Sequence, residues 1–121
     1  MSKRILVVED QEDNRRIMRD LLTSAGFNLI EATTGEDGVR LAENGRPDLI
    51  LMDIQMPLLD GYQATRQIKA NPDLRHIPII VVTSYALSGD DVKARAAGAD
   101  GYVSKPFSPR ELLAMIRQFL P

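Results

Sequence analysis

Three carboxylates stand where short apolar runs end. Glu9 and Asp10 follow Ile5-Leu6-Val7-Val8, and Asp53 follows Leu49-Ile50-Leu51-Met52. Thr83 closes the apolar run that reaches Val82, and Lys105 follows the short run Gly101–Val103. If these runs are strands of one sheet, all five groups reach one crevice. Three carboxylates so gathered repel one another, and at least one pKa must rise. A hard divalent cation relieves that repulsion, and Mg²⁺ favours a few carboxylates with waters and phosphate oxygens; Mn²⁺ suits similar ligands. A carboxylate nucleophile, a cation, a hydroxyl and an ammonium are the parts that phosphoryl transfer needs. Its transition state spreads charge over the phosphoryl oxygens, so catalysis is positioning and electrostatic stabilisation. In that chemistry Asp53 attacks and becomes an aspartyl phosphate. Singly, each residue has an ordinary reading: solvated loop acids, a turn threonine, a surface lysine. Their convergence from four strand ends is what points to chemistry.

The elements that must position them alternate. Ile5–Val8, Asn28–Ala32, Leu49–Met52, Ile77–Val82 and Gly101–Val103 read as strands. Ile79–Val82 is continuously apolar, as a strand covered on both faces requires. The bracketing of Leu49–Met52 by Pro47 and Pro57 favours strand over helix. Between them lie helical patterns. Ile17, Met18, Leu21, Leu22 and Ala25 form one apolar stripe, closed by Gly26 at a C′ position. Val39, Leu41 and Ala42 belong to a second helix capped by Thr34, and Tyr62–Ala70 is a third. A fourth, roughly Gly89–Ala97, has few large apolar residues and ends at Gly98. The fifth starts with a capping box, Ser108-Pro109-Arg110-Glu111, and carries Leu112, Leu113, Ile116 and Leu120 inward. Five strand–helix units of about 24 residues imply a parallel sheet with helices on both faces. The doubly wound order 2-1-3-4-5 suits five units, with its ligand crevice outside the carboxyl ends of strands 1 and 3.

Composition excludes other classes. The 121 residues suit one domain, residues 1–121, large enough for a core without staples. With no cysteine there is neither a disulfide framework nor a thiolate metal site. Fifteen basic against 17 acidic side chains give a net charge of −2, poor for direct nucleic-acid binding. The apolar run after Lys3-Arg4 stops after four residues, too short for a secretory signal. No stretch is long enough to span a membrane. These features fit the cytoplasm. His76, alone in a loop, reads as solvated.

Taken together, the motifs resemble the receiver domain of two-component response regulators over essentially the whole chain. They are Ile5–Asp10, Pro47–Pro57 with Asp60-Gly61, Val82-Thr83-Ser84, Gly98–Tyr102 and Lys105-Pro106-Phe107. The resemblance implies a flavodoxin-like fold and makes Asp53 the phosphoacceptor. It implies that Asp10 and Asp53 ligate Mg²⁺ directly, Glu9 through water, and Gln55 through its backbone carbonyl. Thr83 and Lys105 would contact the phosphoryl oxygens. Tyr102 matches the aromatic switch residue, which turns inward when Thr83 moves toward the phosphate; read without the resemblance, it is a half-buried strand aromatic. The resemblance also suggests a cis peptide before Pro106. Gln55 and Tyr85 should flank the phosphoryl group, and bulky Tyr85 would restrict the hydrolytic water. The segment Thr83–Asp90 is more similar to single-domain cell-cycle regulators and hybrid-kinase receivers than to transcription-factor receivers.

The implied donor is a histidine kinase or phosphotransfer protein docking near the first helix. The implied target is a protein that reads helix 4, strand 5 and helix 5. The chain reads as a stand-alone regulator or as a receiver excised from something larger, and a start three residues before the first strand favours the former. Two rivals use related parts. A haloacid-dehalogenase-like phosphatase needs a second aspartate two residues past the nucleophile, where Gln55 stands and cannot cycle a proton. A flavodoxin-like electron carrier must cradle a cofactor phosphate, which Glu9-Asp10-Gln11-Glu12-Asp13 would repel.

Overall fold

The computed structural model describes residues 3–83 and 90–120. Its β-branched and aliphatic runs form β1 (Arg4–Val8), β2 (Asn28–Ala32), β3 (Leu49–Asp53), β4 (Ile79–Thr83) and β5 (Gly101–Ser104). They pair in parallel in the order β2-β1-β3-β4-β5. Between and after them run α1 (Glu12–Ser24), α2 (Gly35–Gly45), α3 (Gly61–Ala70), α4 (Asp90–Ala96) and α5 (Pro109–Phe119). The predicted doubly wound, flavodoxin-like architecture is what the chain adopts.

Side chains alternate across the pleat, so the three inner strands feed two cores. Ile5, Val7, Leu49, Leu51, Ile80 and Val82 pack with Met18 and Leu22 of α1 and Leu112 and Ile116 of α5. Leu6, Val8, Ile50, Met52, Ile79 and Val81 face α2, α3 and α4 through Ala42, Ala64, Ile68 and Ala94. Burial on both faces explains why the inner strands read as unbroken apolar runs.

Caps set the helix ends. The Thr34 hydroxyl accepts from the Asp37 amide, as predicted for α2. The Ser108 hydroxyl accepts from the Glu111 amide, the Ser108 half of the predicted box. The full reciprocal box lies instead at α3, between Asp60 and Gln63. Gly26 follows α1 with φ 93°, which glycine adopts without a Cβ penalty.

Three expectations need correction. β4 begins at Ile79, not Ile77, because Ile77 closes a turn by donating to the Leu74 carbonyl and Pro78 has no N–H. Ile17, part of the apolar stripe read on α1, is 57% exposed; it lines a groove with Pro106 and Phe107 instead of packing in the core. Leu113 and Leu120 are only half-buried. His76 is exposed, as expected. Tyr85 lies outside the described residues, so its flanking role has no geometry here.

Candidate functional site

The carboxyl ends of β1, β3 and β4 bring the predicted groups together. β1 delivers Glu9, whose amide donates to the Ala32 carbonyl of β2 at 3.0 Å, and then Asp10. β3 delivers Asp53 as its last residue, and β4 delivers Thr83 as its last. Glu9, Asp53 and Thr83 are 0%, 3% and 1% exposed, unusual burial for polar groups and costly unless each is paired. One carboxylate oxygen from each of Glu9, Asp10 and Asp53 lies within 4.8 Å of the others.

Lys105 reaches the crevice from the loop after β5. Its amide donates to the Thr83 carbonyl at 2.6 Å, which ties that loop to β4. Its ammonium donates to Glu9 Oε1 at 2.9 Å and stands 3.6 Å from Asp53 Oδ1. The Lys105–Pro106 peptide is cis, as the resemblance suggested.

One ammonium cannot neutralise three carboxylates, and the pKa directions show where the strain falls. Burial alone would raise Glu9, but the bonds from Lys105 and the Gln11 amide outweigh it and hold Glu9 low. Asp10 is raised by burial and by the neighbouring Glu9. Asp53 is pushed up to about 7, first by burial and then by the Glu9 charge, against the pull of Lys105. Asp10 Oδ1 is also buried without a hydrogen-bond partner. Excess negative charge, an orphaned carboxylate oxygen and an all-oxygen donor set fit a hard divalent cation.

The remaining candidates lie around this cluster. Gln55 is exposed, and its amide points at Asp53 Oδ1 across 3.4 Å, a long bond. Tyr102 is half-buried on β5 and packs against the core that faces α2, α3 and α4. A Cβ on Gly61 would strike the Asp53 carbonyl oxygen, so only glycine lets α3 start this close to the acidic residue. Sequence reasoning quoted Gly61 without this role, and it missed Arg15 altogether. The Arg15 guanidinium donates to the carbonyls of Glu9 and Asp10 at 3.1 and 3.2 Å.

Residues 5–117 match the response regulator receiver domain family. The chain is 41% identical over 120 residues to the polar-differentiation response regulator DivK of Brucella anthropi, covering 99% of this chain and 98% of that one. It is similar to the receiver domain of sensor histidine kinase PA1611 from Pseudomonas aeruginosa, solved with a magnesium ion in its active-site cleft. That likeness has a TM-score of 0.92 at 39% identity and covers 99% and 98% of the two chains. A receiver domain of a signal transduction histidine kinase from Syntrophus aciditrophicus matches with a TM-score of 0.92 at 34% identity, covering 98% and 90%. The phosphatase reading finds no support in these likenesses. The chain belongs to the response-regulator receiver-domain family of two-component signalling, a signalling module and not a classical enzyme.

Proposed function

We propose that residues 1–121 form one receiver domain in which Asp53 is the phosphoacceptor. One observation carries this reading: Asp53 ends a central strand, shares its crevice with Glu9 and Asp10, and has the Lys105 ammonium 3.6 Å away. An Asp53 carboxylate oxygen forms the new P–O bond as the donor's P–N bond breaks, and the donor imidazole leaves with the electron pair. Asp10, Asp53 and the Gln55 carbonyl hold Mg²⁺ or Mn²⁺, with Glu9 acting through water. The cation supplies charge neutralisation on the phosphoryl oxygens. The Thr83 hydroxyl and Lys105 meet the other oxygens, and for this Lys105 gives up its bond to Glu9. The domain's own chemistry is self-catalysed phosphotransfer and slow loss of the phosphoryl group, which Tyr85 slows by restricting water.

Receiver domains accept phosphoryl groups from histidine kinases and act on downstream targets. For this chain the donor, a histidine kinase or phosphotransfer protein, docks at α1. An apolar groove of about 460 Å³, lined by Ile17, Met18, Leu21, Pro106 and Phe107, lies beside Lys105 and supports that site. The target, a protein, reads α4, β5 and α5 around Tyr102, in the cytoplasm. No helix among the described residues is long and apolar enough to cross a membrane.

Incubation with a small acyl phosphate and Mg²⁺ tests the reading. The wild type should gain one phosphoryl mass, and Asp53→Asn or a chelator should abolish the gain. Undiminished labelling of Asp53→Asn would remove Asp53 from its role.

A further inference from the structure

We infer that Arg15 is a positioning residue for the acidic pair, holding Glu9 and Asp10 in the geometry that binds a divalent cation. The inference rests on the cation site proposed above and adds a residue to it. Arg15 lies four residues into α1, and its side chain is 14% exposed. One guanidinium nitrogen donates to two successive carbonyls, Glu9 at 3.1 Å and Asp10 at 3.2 Å. Fixing both carbonyls fixes the two peptide planes that flank Asp10, and with them the direction in which its Cβ leaves the chain.

The turn needs this help. The N-cap of α1, Gln11, makes no side-chain capping bond. Asp10 Oδ1 is buried with no partner, so its aim is inherited from the backbone.

Arg15 is itself anchored. Its Nε lies 3.6 Å from Glu31 Oε1 on β2, and Arg19 grips Glu31 through two bonds of 2.8 Å. Glu31 stands opposite Val7 in the β1–β2 register, two residues before Glu9. The guanidinium thus braces the β1–α1 turn against the neighbouring strand.

Charge and positioning predict opposite signs. A guanidinium near a cation site repels the cation, so on charge alone its removal tightens binding. If Arg15 positions the ligands, its removal weakens binding. Mg²⁺ is titrated by calorimetry into wild type, Arg15→Met and Arg15→Lys, and the thermal midpoint of each metal-free protein is measured. Arg15→Met keeps the apolar stem and should raise the Mg²⁺ Kd about tenfold, the usual scale for losing a group that orients a ligand. Its metal-free midpoint should stay near that of the wild type, and Arg15→Lys should recover part of the affinity. Glu31→Gln loosens the anchor and leaves the carbonyl bonds, so it should weaken Mg²⁺ about two- to threefold. An unchanged or tighter Kd in Arg15→Met overturns the inference. If Arg15→Met does not fold, an unchanged Kd in Glu31→Gln overturns it. A wild type that binds no Mg²⁺ overturns the cation site itself, an outcome the wild-type arm reads separately.

Discussion

The two sides of the crevice are built differently. On the β1 side, the turn carrying Glu9 and Asp10 is held by the Ala32 carbonyl, the Gln11 amide, Lys105 and Arg15. The 13-residue α1 behind it buries Met18 and Leu22. On the β5 side, α4 has seven residues; of its side chains from Val92 to Ala96 only that of Ala94 is buried, and Val92 is 64% exposed. Beside it Tyr102 is half-buried. The β1 side, with its carboxylates held by several bonds, is preorganised, as electrostatic chemistry requires. The α4 side buries little apolar surface, and such elements are where local opening is cheapest.

The largest test of that contrast is packing. Leu22 is fully buried in the core that α1 and α5 share with the sheet. Leu22→Ala should cost about 3–5 kcal/mol. Val92→Ala removes exposed methyl groups and should stay within about 0.5 kcal/mol. Urea unfolding of both variants measures the difference. Similar losses would mean that α4 is anchored as firmly as α1.

The carboxylate cluster carries a cost that pH exposes. The Asp53 pKa in the folded domain is about 7, above its ordinary value of 3.8. A carboxyl raised in this way favours folding in its protonated form. Its contribution is complete below pH 4 and is lost as pH rises through 7. Asp53→Asn cannot ionise, so in a chelator it should overtake the wild type as pH climbs. The expected gain is about 2 kcal/mol by pH 8, less than the full linkage value because Glu9 and Lys105 share the same field. Saturating Mg²⁺ should reverse the order. Thermal midpoints from pH 5 to 8 read this directly; parallel curves for the two proteins would mean that Asp53 titrates normally.

The same contrast shows what the sequence could disclose. Strands covered on both faces must be apolar throughout, so the ends of β1, β3 and β4 are visible, and with them Glu9, Asp10, Asp53 and Thr83; Lys105 follows the partly buried edge strand β5 and was placed by the short run before it. Alternation and handedness narrowed the sheet order to a few, among which 2-1-3-4-5 suits five units. Arg15 was not visible, because it binds backbone carbonyls and these leave no trace in residue type. The exposure of Ile17 was hidden for another reason. Helical periodicity defines an arc, and only the neighbouring elements decide how much of that arc is covered. The pairing of Lys105 with Glu9 depends on a side-chain torsion, which spacing does not encode.

The smallest effect concerns the rim of the crevice, in the loop that follows Asp53 and meets the start of α2. Leu58, in the loop from β3 to α3, is 93% exposed and has φ 66°. The left-handed region costs a residue with a Cβ about 1–2 kcal/mol. Glycine removes that cost but loses about 0.5–1 kcal/mol through its freer unfolded chain. Leu58→Gly should therefore stabilise the domain by about 0.5–1 kcal/mol, a rise of about 2–4 °C in the thermal midpoint. Leu58→Ala keeps the Cβ and should gain almost nothing, which separates backbone strain from the removal of an exposed side chain. Equal gains in the two variants would locate the effect in the leucine side chain and leave the rim unstrained. A gain confined to glycine would extend the preorganisation of the β1 side to the loop that follows Asp53.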